Sequence, residues 1–147
     1  MLQEEDKMIR RMEKKDLDAV ADIWLDTNRK AHSFISSEYW ESNLEAVKEM
    51  FPQAEIYVWE EKGELQGFVG LTGDYIAGIF VRSQSQGSGI GTRLLDRAKR
   101  ERKELRLHVY RKNERAVRFY QREGFQVESE DIDKNTGEAE CLMRWRR

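Results

Sequence analysis

The sequence is poor in the residue types that most often mark sites or interrupt structure. Its 147 residues include one proline, one cysteine and two histidines. The single cysteine, Cys141, cannot form a disulfide within the chain, and nothing in the sequence requires an oxidising compartment. It lies in a run typical of a strand and is expected to be a small core residue. The widely separated histidines and cysteine make no recognisable metal site, so we expect no bound metal.

Long hydrophobic runs and an excess of one charge are also missing. No apolar run approaches the roughly 20 residues of a membrane-spanning helix, and the N-terminus lacks the apolar stretch of a signal peptide. Lys and Arg number 26 and Asp and Glu 28, a net charge of −2. This balance gives no argument for nucleic acid or an anionic membrane as a partner. We therefore expect a cytoplasmic protein, with residues 1–7 as a disordered lead.

Hydrophobic periodicity and turn residues predict the order β-α-α-β-β-β-α-β-α-β-β within one domain, residues 1–147. Asp16 stands where the N-cap of the first helix belongs, Ser36 or Ser37 can cap the second helix, and Pro52 ends it. Three consecutive strands favour antiparallel hairpins, and the later alternation favours a parallel pair. The expected fold class is α/β (α+β) with a mixed, mostly antiparallel sheet.

A glycine turn, Gln86–Gly91, follows the apolar run Ile76–Val81 and precedes a helical pattern. Such a turn exposes backbone N–H groups at the positive end of a helix dipole and favours a phosphate-bearing ligand. A P-loop would need a lysine after the last glycine, but Thr92 follows it. The dinucleotide pattern G-x-G-x-x-G fails on spacing as well.

The pattern Q/R-x-x-G-x-G/A fits the turn in full. In this pattern Gly89 and Gly91 let the backbone close around a pyrophosphate. A plain strand-to-helix turn without a ligand is the alternative, because a lone glycine motif is weak evidence.

A second segment, residues 113–125, predicts a helix with one tyrosine in an otherwise apolar stripe. Its pattern N-x-x-A-x-x-F-Y-x-x-x-G-F resembles the closing motif of the GNAT superfamily of N-acetyltransferases, and Gln86–Gly91 resembles the acyl-CoA pyrophosphate loop of that superfamily. The resemblance is strong over residues 75–125 and loose over the whole element order. Small bacterial GNAT proteins that acetylate proteins or amines look the most similar.

The resemblance implies a sheet of six to seven strands with flanking helices and a splayed central strand pair. One strand of the pair ends at Val81 and the other is Leu105–Tyr110. Acetyl-CoA is the implied acetyl donor: its pantetheine arm would pair with free backbone groups of the first strand, and the glycine turn would hold its pyrophosphate. The residues implied to bind it are Ile79, Phe80, Val81, Gln86, Gly87, Ser88, Gly89, Ile90, Gly91, Thr92, Asn113, Ala116, Phe119 and Tyr120.

The resemblance also implies the catalytic groups. Tyr120 stands where the family has its general acid, and a phenol can protonate the departing thiolate; a buried core tyrosine is the alternative. His108 is the candidate general base. Strand alternation puts it opposite the apolar residues around it, and some similar protein N-terminal acetyltransferases have a glutamate base in the matching place. The alternatives are a histidine that only packs or hydrogen-bonds, and a water chain leading to Glu60 or Asp74.

The acceptor pocket is the least determined part of the sequence. His32 lies in the predicted loop between the first two helices, a region that shapes the acceptor pocket in the family, and Tyr39 and Trp59 are candidate walls. Ordinary core and loop positions explain such residues equally well. We expect no metal among these residues.

The expected enzyme is an acyl-CoA-dependent N-acetyltransferase that transfers acetyl to a primary amine by direct attack in a ternary complex. No cysteine lies near the motifs to form an acyl-enzyme. The acceptor is a protein lysine or N-terminus, with a small-molecule amine or antibiotic as the alternative. A non-catalytic acyl-CoA-binding module is the other alternative. A monomer and a homodimer are both compatible with the sequence.

Overall fold

Seven strands form one mixed sheet in the computed structural model, which describes residues 7–147. The strands are β1 (Lys7–Arg11), β2 (Glu55–Glu61), β3 (Glu64–Thr72), β4 (Tyr75–Val81), β5 (Glu104–Tyr110), β6 (Gln126–Ile132) and β7 (Ala139–Arg146). Their order in the sheet is β1-β2-β3-β4-β5-β7-β6. β4 and β5 are parallel, and the other neighbouring pairs are antiparallel. The predicted mixed, mostly antiparallel sheet is confirmed.

Four α-helices flank the sheet in the predicted order. They are α1 (Leu17–Ala31), α2 (Ser37–Met50), α3 (Ile90–Glu101) and α4 (Glu114–Arg122). Short 3-10 turns cover Lys14–Asp16, Phe51–Gln53 and Ser83–Ser85. None of the helices within residues 7–147 is long and apolar enough to cross a membrane. The cytoplasmic location stays a prediction.

The residues that start and stop the first two helices are largely those predicted. Ser36 caps α2 by accepting the N–H of Tyr39, and Pro52 lies in the 3-10 turn that follows this helix. Asp16 precedes α1, but no hydrogen bond from its side chain caps that helix. Its buried carboxylate instead accepts from Arg10 Nη1 at 2.7 Å. Asp16 therefore occupies the predicted N-cap position, but its carboxylate pairs with Arg10 and does not cap the helix.

Two core clusters lie on opposite faces of the sheet. α3 and α4 pack on the first face, where the buried residues are Tyr57, Trp59, Val69, Leu71, Ile76, Ile90, Leu94, Leu95, Ala98, Leu105, Leu107, Val109, Tyr120, Phe125, Cys141 and Met143. α1 and the segment after α2 pack on the second face, where the buried residues are Val20, Ala21, Ile23, Phe51, Ile56, Val58, Leu65 and Phe68. Cys141 is a buried core residue, as predicted.

The second face is largely uncovered over β5 and β7. Side chains alternate across a strand, so the residues between the core positions of these two strands point to the second face. We call them the open face: Arg106, His108 and Tyr110 of β5 with Glu140 and Leu142 of β7. The segment between α1 and α2 reaches this face at its end, where His32 contacts Tyr110.

A gap opens between β4 and β5 in the middle of the sheet. β4 pairs with β5 only through Tyr75 and Ile76 at its start. The register between β3 and β4 shifts at the next residue, so Ala77 has no partner in β3. A bulge of this kind bends and twists its strand, and the rest of β4 diverges from β5. The predicted splayed central pair is confirmed, and the bulge at Ala77 accounts for it.

The expected disordered lead, residues 1–7, lies almost entirely outside the described residues. Lys7, its last residue, begins β1.

Candidate functional site

The glycine turn joins β4 to α3 and presents backbone N–H groups outward. Gly87 and Gly89 have φ of +82° and +89°, the left-handed region that L side chains rarely adopt. Gly89 is the N-cap of α3, and no side chain of the described residues caps this helix. The first N–H groups of α3 therefore lack intrahelical partners. Together with the positive end of the helix dipole, they fit a pyrophosphate.

The glycines of the turn differ in why glycine is needed. A Cβ on Gly87 or Gly89 would meet nothing within 4 Å, so the requirement there comes from the backbone torsions. Gly91 is not among the residues with positive φ, and a Cβ on it would lie 3.6 Å from Cζ of Phe119, an ordinary contact. The backbone freedom expected of Gly89 and Gly91 is thus found at Gly87 and Gly89.

Side-chain hydrogen bonds hold the shape of the turn. Gln86 Nε2 donates to the carbonyl of Val81 at 2.9 Å, and Gln86 Oε1 accepts from Arg115 Nη1 at 3.0 Å. Ser88 Oγ donates to the carbonyl of Ser85. Gln86 therefore ties the turn both to the end of β4 and to the first turn of α4. Direct contact of Gln86 or Ser88 with acetyl-CoA stays a prediction.

The free edge of β4 lines the gap. The N–H of Arg82 donates to a carbonyl of β3 at 2.8 Å, and backbone groups alternate in direction along an antiparallel strand. The backbone groups of Ile79 and Val81 therefore face the gap, in agreement with the predicted pantetheine edge, and those of Phe80 face β3. The carbonyl of Val81 is occupied by Gln86.

The ring of Phe80 belongs to the second core cluster. It packs on Phe68 with ring centroids 4.9 Å apart. It also lies over Gly78, where a Cβ would clash with the ring unless the ring moved. Sequence analysis missed this close packing at Gly78. The sequence signal for this packing was a glycine two residues before an aromatic residue, which places both on the same face of the strand.

α4 carries the second motif. Asn113 Oδ1 accepts the N–H of Ala116 at 3.3 Å, so the predicted asparagine cap is present. The helix ends before Gly124, whose φ is +96°. Ala116 and Phe119 pack against the first core cluster, and Phe119 also supports the glycine turn from below at Gly91.

Tyr120 projects from α4 into the first core cluster and is 7% exposed. Its ring packs on Phe119 and Phe125. Burial raises the pKa of the Tyr120 phenol, and the phenol of Tyr75 raises it further. Tyr120 is therefore fully protonated at neutral pH, the state that a general acid needs.

His108 lies on the open face and is bound by Tyr75. The hydroxyl of Tyr75 and Nδ1 of His108 are 2.7 Å apart. Tyr75 begins β4, and His108 lies in β5 just beyond the last paired residues, so the contact is at the closed end of the gap. His108 is exposed, as the alternation predicted. No hydrogen-bond partner of its Nε2 is seen among the described residues.

Glu140 faces the same space from β7. It pairs with Tyr110 across the β5–β7 ladder and is half-buried. Burial raises the pKa of the Glu140 carboxyl, His108 lowers it, and Asp133 and Asp131 raise it further. Its carboxylate also contributes to the raised pKa values of Tyr75 and Tyr39, for which burial is the main cause. Glu140 therefore puts negative charge beside the candidate base.

His32 lies near the open face, but its nitrogens are turned inward. Its ring stacks on Trp40 with centroids 5.4 Å apart and meets Tyr110 edge-on at 5.1 Å. Nε2 is 3.2 Å from Nδ2 of Asn113, and Nδ1 is buried without a partner among the described residues. Burial lowers the pKa of His32 to about 4, so the ring is neutral at physiological pH.

Tyr39 and Trp59, the predicted walls of the acceptor pocket, lie on opposite faces of the sheet. The half-buried Tyr39 packs on Trp40 with ring centroids 5.0 Å apart. Burial raises the pKa of its phenol, and Asp133 and Glu140 raise it further. It is thus near the open face with His32. Trp59 is buried in the first core cluster under α3, where its ring faces Arg93. Because side chains alternate along a strand, Trp59 points away from the open face and is not part of the proposed acceptor site.

The two carboxylates considered as alternative bases are engaged elsewhere. Glu60 accepts from Nη2 of Arg10 at 2.7 Å, and Arg10 is also the ion-pair partner of Asp16. Asp74 is exposed in the turn between β3 and β4, with a carboxylate oxygen 3.8 Å from Nε of Arg102. Neither is in direct contact with His108, whereas Tyr75 is.

Sequence analysis missed Tyr75 and Glu140. Tyr75 opens the strand of the acyl-CoA motif, and its alternation relative to Ile76 was the one signal that it faces the second side of the sheet. Glu140 alternates with Cys141 in the same way. Their proximity to His108 depends on the sheet order, which no local pattern contains.

Comparison with known proteins agrees with this arrangement. A family model described as an acetyltransferase (GNAT) domain matches residues 52–127. Two curated relatives from Escherichia coli (strain K12) are peptidyl-lysine N-acetyltransferases. The chain is 33% identical to YiaC over 140 residues, which cover 94% of this chain and 96% of YiaC. It is 30% identical to YjaB over 131 residues, which cover 86% of this chain and 89% of YjaB.

Solved structures show the same fold. The solution structure of apo YjaB from Escherichia coli superposes with a TM-score of 0.84 at 27% identity, covering 95% of this chain and 97% of YjaB. The PaiA N-acetyltransferase of Thermoplasma acidophilum, in complex with coenzyme A, superposes with a TM-score of 0.81 at 21% identity and covers 96% and 99% of the two chains.

The glycine turn, the splayed strands, the matching family model and the curated relatives lead to one conclusion. The chain belongs to the GNAT acetyltransferase family and is an N-acetyltransferase that uses acetyl-CoA as its acetyl donor.

Proposed function

We propose that this protein acetylates the side-chain amine of protein lysines, with His108 as general base and Tyr120 as general acid. The observation that carries the proposal is the contact between Tyr75 and His108 at 2.7 Å. It holds a base at the closed end of the gap.

The donor half of the site is made of backbone. Ile79 and the N–H of Val81 offer hydrogen-bonding groups along the gap, and an amide-bearing pantetheine arm can pair with them as an added strand would. The N–H groups from Gly87 to Thr92 are suited to the pyrophosphate. A donor bound in this way has its thioester directed toward the closed end of the gap, where Tyr75 holds His108.

The chemistry divides between two side chains. The lysine ammonium first loses one proton to solvent, which gives a neutral amine. Nε2 of His108 then takes a second proton from the amine nitrogen as this nitrogen attacks the thioester carbonyl carbon. As the carbon–sulfur bond breaks, the hydroxyl of Tyr120 gives its proton to the sulfur, which leaves as a thiol. The acetyl group ends on the amine nitrogen. Direct transfer in a ternary complex needs no covalent intermediate on the protein.

The role of His108 requires a particular tautomer. A neutral imidazole carries its proton on one nitrogen and accepts on the other. If Nε2 is to accept the amine proton, Nδ1 must carry the ring proton and donate it to the oxygen of Tyr75. Tyr75 is thus proposed to hold His108 in the basic tautomer.

Lysine as the acceptor is supported by the names of the two curated relatives, both peptidyl-lysine N-acetyltransferases. The open face adds a physical reason. It is accessible at His108, and Glu140 gives it a negative charge that attracts an ammonium group. A lysine side chain is also long enough to approach an open site from a protein surface.

The test is thiol release from acetyl-CoA with three acceptors. The first is a peptide with one lysine and an acetylated N-terminus. The second is the same peptide with arginine for lysine and a free N-terminus, and the third is spermidine. We expect the highest kcat/KM with the lysine peptide. Turnover confined to the free N-terminus or to spermidine would overturn the lysine acceptor. Binding of acetyl-CoA by calorimetry without thiol release from any acceptor would favour a non-catalytic module.

A further inference from the structure

The first turn of α4 is held from two sides. On the donor side, Arg115 donates to Gln86 of the glycine turn at 3.0 Å, and this pair is exposed. On the acceptor side, Asn113 meets His32 at 3.2 Å, and this contact is partly buried. A hydrogen bond shielded from water holds geometry better than an exposed one. His32 is therefore the stronger of the two anchors for this end of the helix.

The aromatic surroundings of His32 fix its ring. Trp40 stacks on it, Phe34 meets it edge-on at 5.7 Å, and Tyr110 meets it edge-on at 5.1 Å. Asn113 Oδ1 is engaged in capping α4, so the amide offers Nδ2, a donor, to His32. Nε2 of His32 then accepts, and the ring proton is on the buried Nδ1. Burial, which lowers the pKa of His32 to about 4, keeps this neutral form in place.

α4 is a short helix of 9 residues, so its two ends determine where its side chains lie. Its C-terminal end is fixed by Lys99, whose Nζ donates to the carbonyl of Glu123 at 2.6 Å. Its N-terminal end is fixed through Asn113. A shift at that end moves Tyr120, and a misplacement of about 1 Å at a reacting group can cost roughly 100-fold in rate.

We propose that His32 is a positioning residue: its hydrogen bond to Asn113 sets the N-terminal end of α4 and thereby the position of the Tyr120 hydroxyl. This inference rests on the proposed role of Tyr120 as general acid. It gives His32 a role beyond that of a candidate residue of the acceptor pocket, since Nε2 is bound by Asn113 and Nδ1 is buried.

The test compares two substitutions of His32 that remove different properties. His32→Phe keeps an aromatic ring for Trp40 and removes the nitrogen acceptor, whereas His32→Gln keeps an acceptor oxygen and removes the ring. We expect His32→Phe to lower kcat roughly three- to tenfold, the factor for one neutral hydrogen bond, with unchanged acetyl-CoA affinity. His32→Gln should retain more of kcat although its Tm falls further. The reverse order of kcat would assign His32 to packing alone and overturn the proposal.

Asn113→Ser is the matched change on the partner. Serine also caps helices, so it removes the donor to His32 and keeps the cap. We expect Asn113→Ser to lower kcat as His32→Phe does, and the double variant to show no further loss. Independent, multiplying losses would overturn the link between the two side chains.

The Tyr120→Phe background separates this inference from the proposed function. If His32 acts through Tyr120, His32→Phe adds little to the loss caused by Tyr120→Phe. If Tyr120→Phe alone leaves kcat unchanged, the proposed acid role fails and this inference fails with it. If Tyr120→Phe lowers kcat and His32→Phe does not, only the inference about His32 fails.

Discussion

The two sides of the gap between β4 and β5 are built in different ways. The donor side, made of the edge of β4 and the glycine turn, is a continuous stretch of backbone from Ile79 to Thr92. The proposed acceptor side consists of the side chains of Tyr75, His108, Glu140 and Tyr39, which come from distant parts of the sequence. A backbone site depends on local torsions and leaves a local pattern. A side-chain site depends on which elements become neighbours.

The difference has a consequence for how each side responds to mutation. On the donor side, glycine is required at position 89 because φ there is +89°, although a side chain would have open space. On the acceptor side, a particular side chain is required because it binds a partner, as His108 binds Tyr75. Donor-side changes should therefore act on acetyl-CoA binding, and acceptor-side changes on turnover and its pH dependence.

The largest expected effect is that of Tyr120→Phe, which removes the proposed acid and keeps the ring. We expect kcat to fall roughly 100-fold or more, within the range for general acid–base catalysis, with a smaller change in acetyl-CoA affinity by calorimetry. Tyr57→Phe is the matched control, because that buried phenol binds Glu55 away from the gap. Unaltered turnover in Tyr120→Phe would reduce Tyr120 to a packing residue.

The next prediction concerns His108→Gln, which keeps a polar side chain and removes the base. We expect kcat to fall about tenfold or more, acetyl-CoA affinity to stay nearly unchanged, and the acid limb of the kcat/KM profile to change. The limb arises because a base must be unprotonated to accept a proton. Asp74→Asn is the control for the alternative route through water, and it should keep the wild-type profile. Wild-type kcat and pH dependence in His108→Gln would remove the base assignment.

The donor side is tested by alanine at two glycines of the same turn. Gly89→Ala forces a side chain into the left-handed region at a cost of roughly 1–2 kcal/mol, so we expect the Kd for acetyl-CoA to rise about tenfold. Gly91→Ala should change it less than about twofold, because its Cβ would make an ordinary contact at 3.6 Å. Calorimetric titration measures both. Equal effects of the two substitutions would contradict the backbone argument.

The smallest expected effect is that of Tyr75→Phe, which frees Nδ1 of His108. We expect kcat to fall about threefold, as for the loss of one neutral hydrogen bond, with unchanged acetyl-CoA affinity. Tyr39→Phe removes another phenol near the open face, one for which no contact with His108 is seen among the described residues, and should leave kcat closer to the wild-type value. Wild-type kcat in Tyr75→Phe would mean that the contact with Tyr75 does not hold His108 in its basic tautomer.

The last prediction concerns the protonation of Tyr120 at alkaline pH. Because burial raises the pKa of Tyr120 above the ordinary value of about 10, the proposed acid keeps its proton throughout the usual assay range. The kcat profile should therefore show no loss from Tyr120 ionisation up to about pH 10.

Much of the fold could be predicted because its signals are local. Ser36 caps α2, Pro52 ends it, Asn113 caps α4 and Gly124 follows its end. Asp16 shows the limit of prediction from local signals. Its residue type suits an N-cap, but its carboxylate binds Arg10 of a neighbouring strand and does not cap the helix. Trp59 shows the same limit. An aromatic residue in a strand is visible in the sequence, but the choice between core and acceptor side depends on which face the helices cover.

The element order, the helix ends and the glycine turn could be predicted from the sequence, because torsions, capping and alternation act over a few residues. The partners of His108 and Asn113 depend on the tertiary structure. Tyr75 and His108 are 33 positions apart, and His32 and Asn113 are 81 apart. Such contacts arise from the sheet order and from the bulge that parts β4 from β5, and both result from packing over the whole chain.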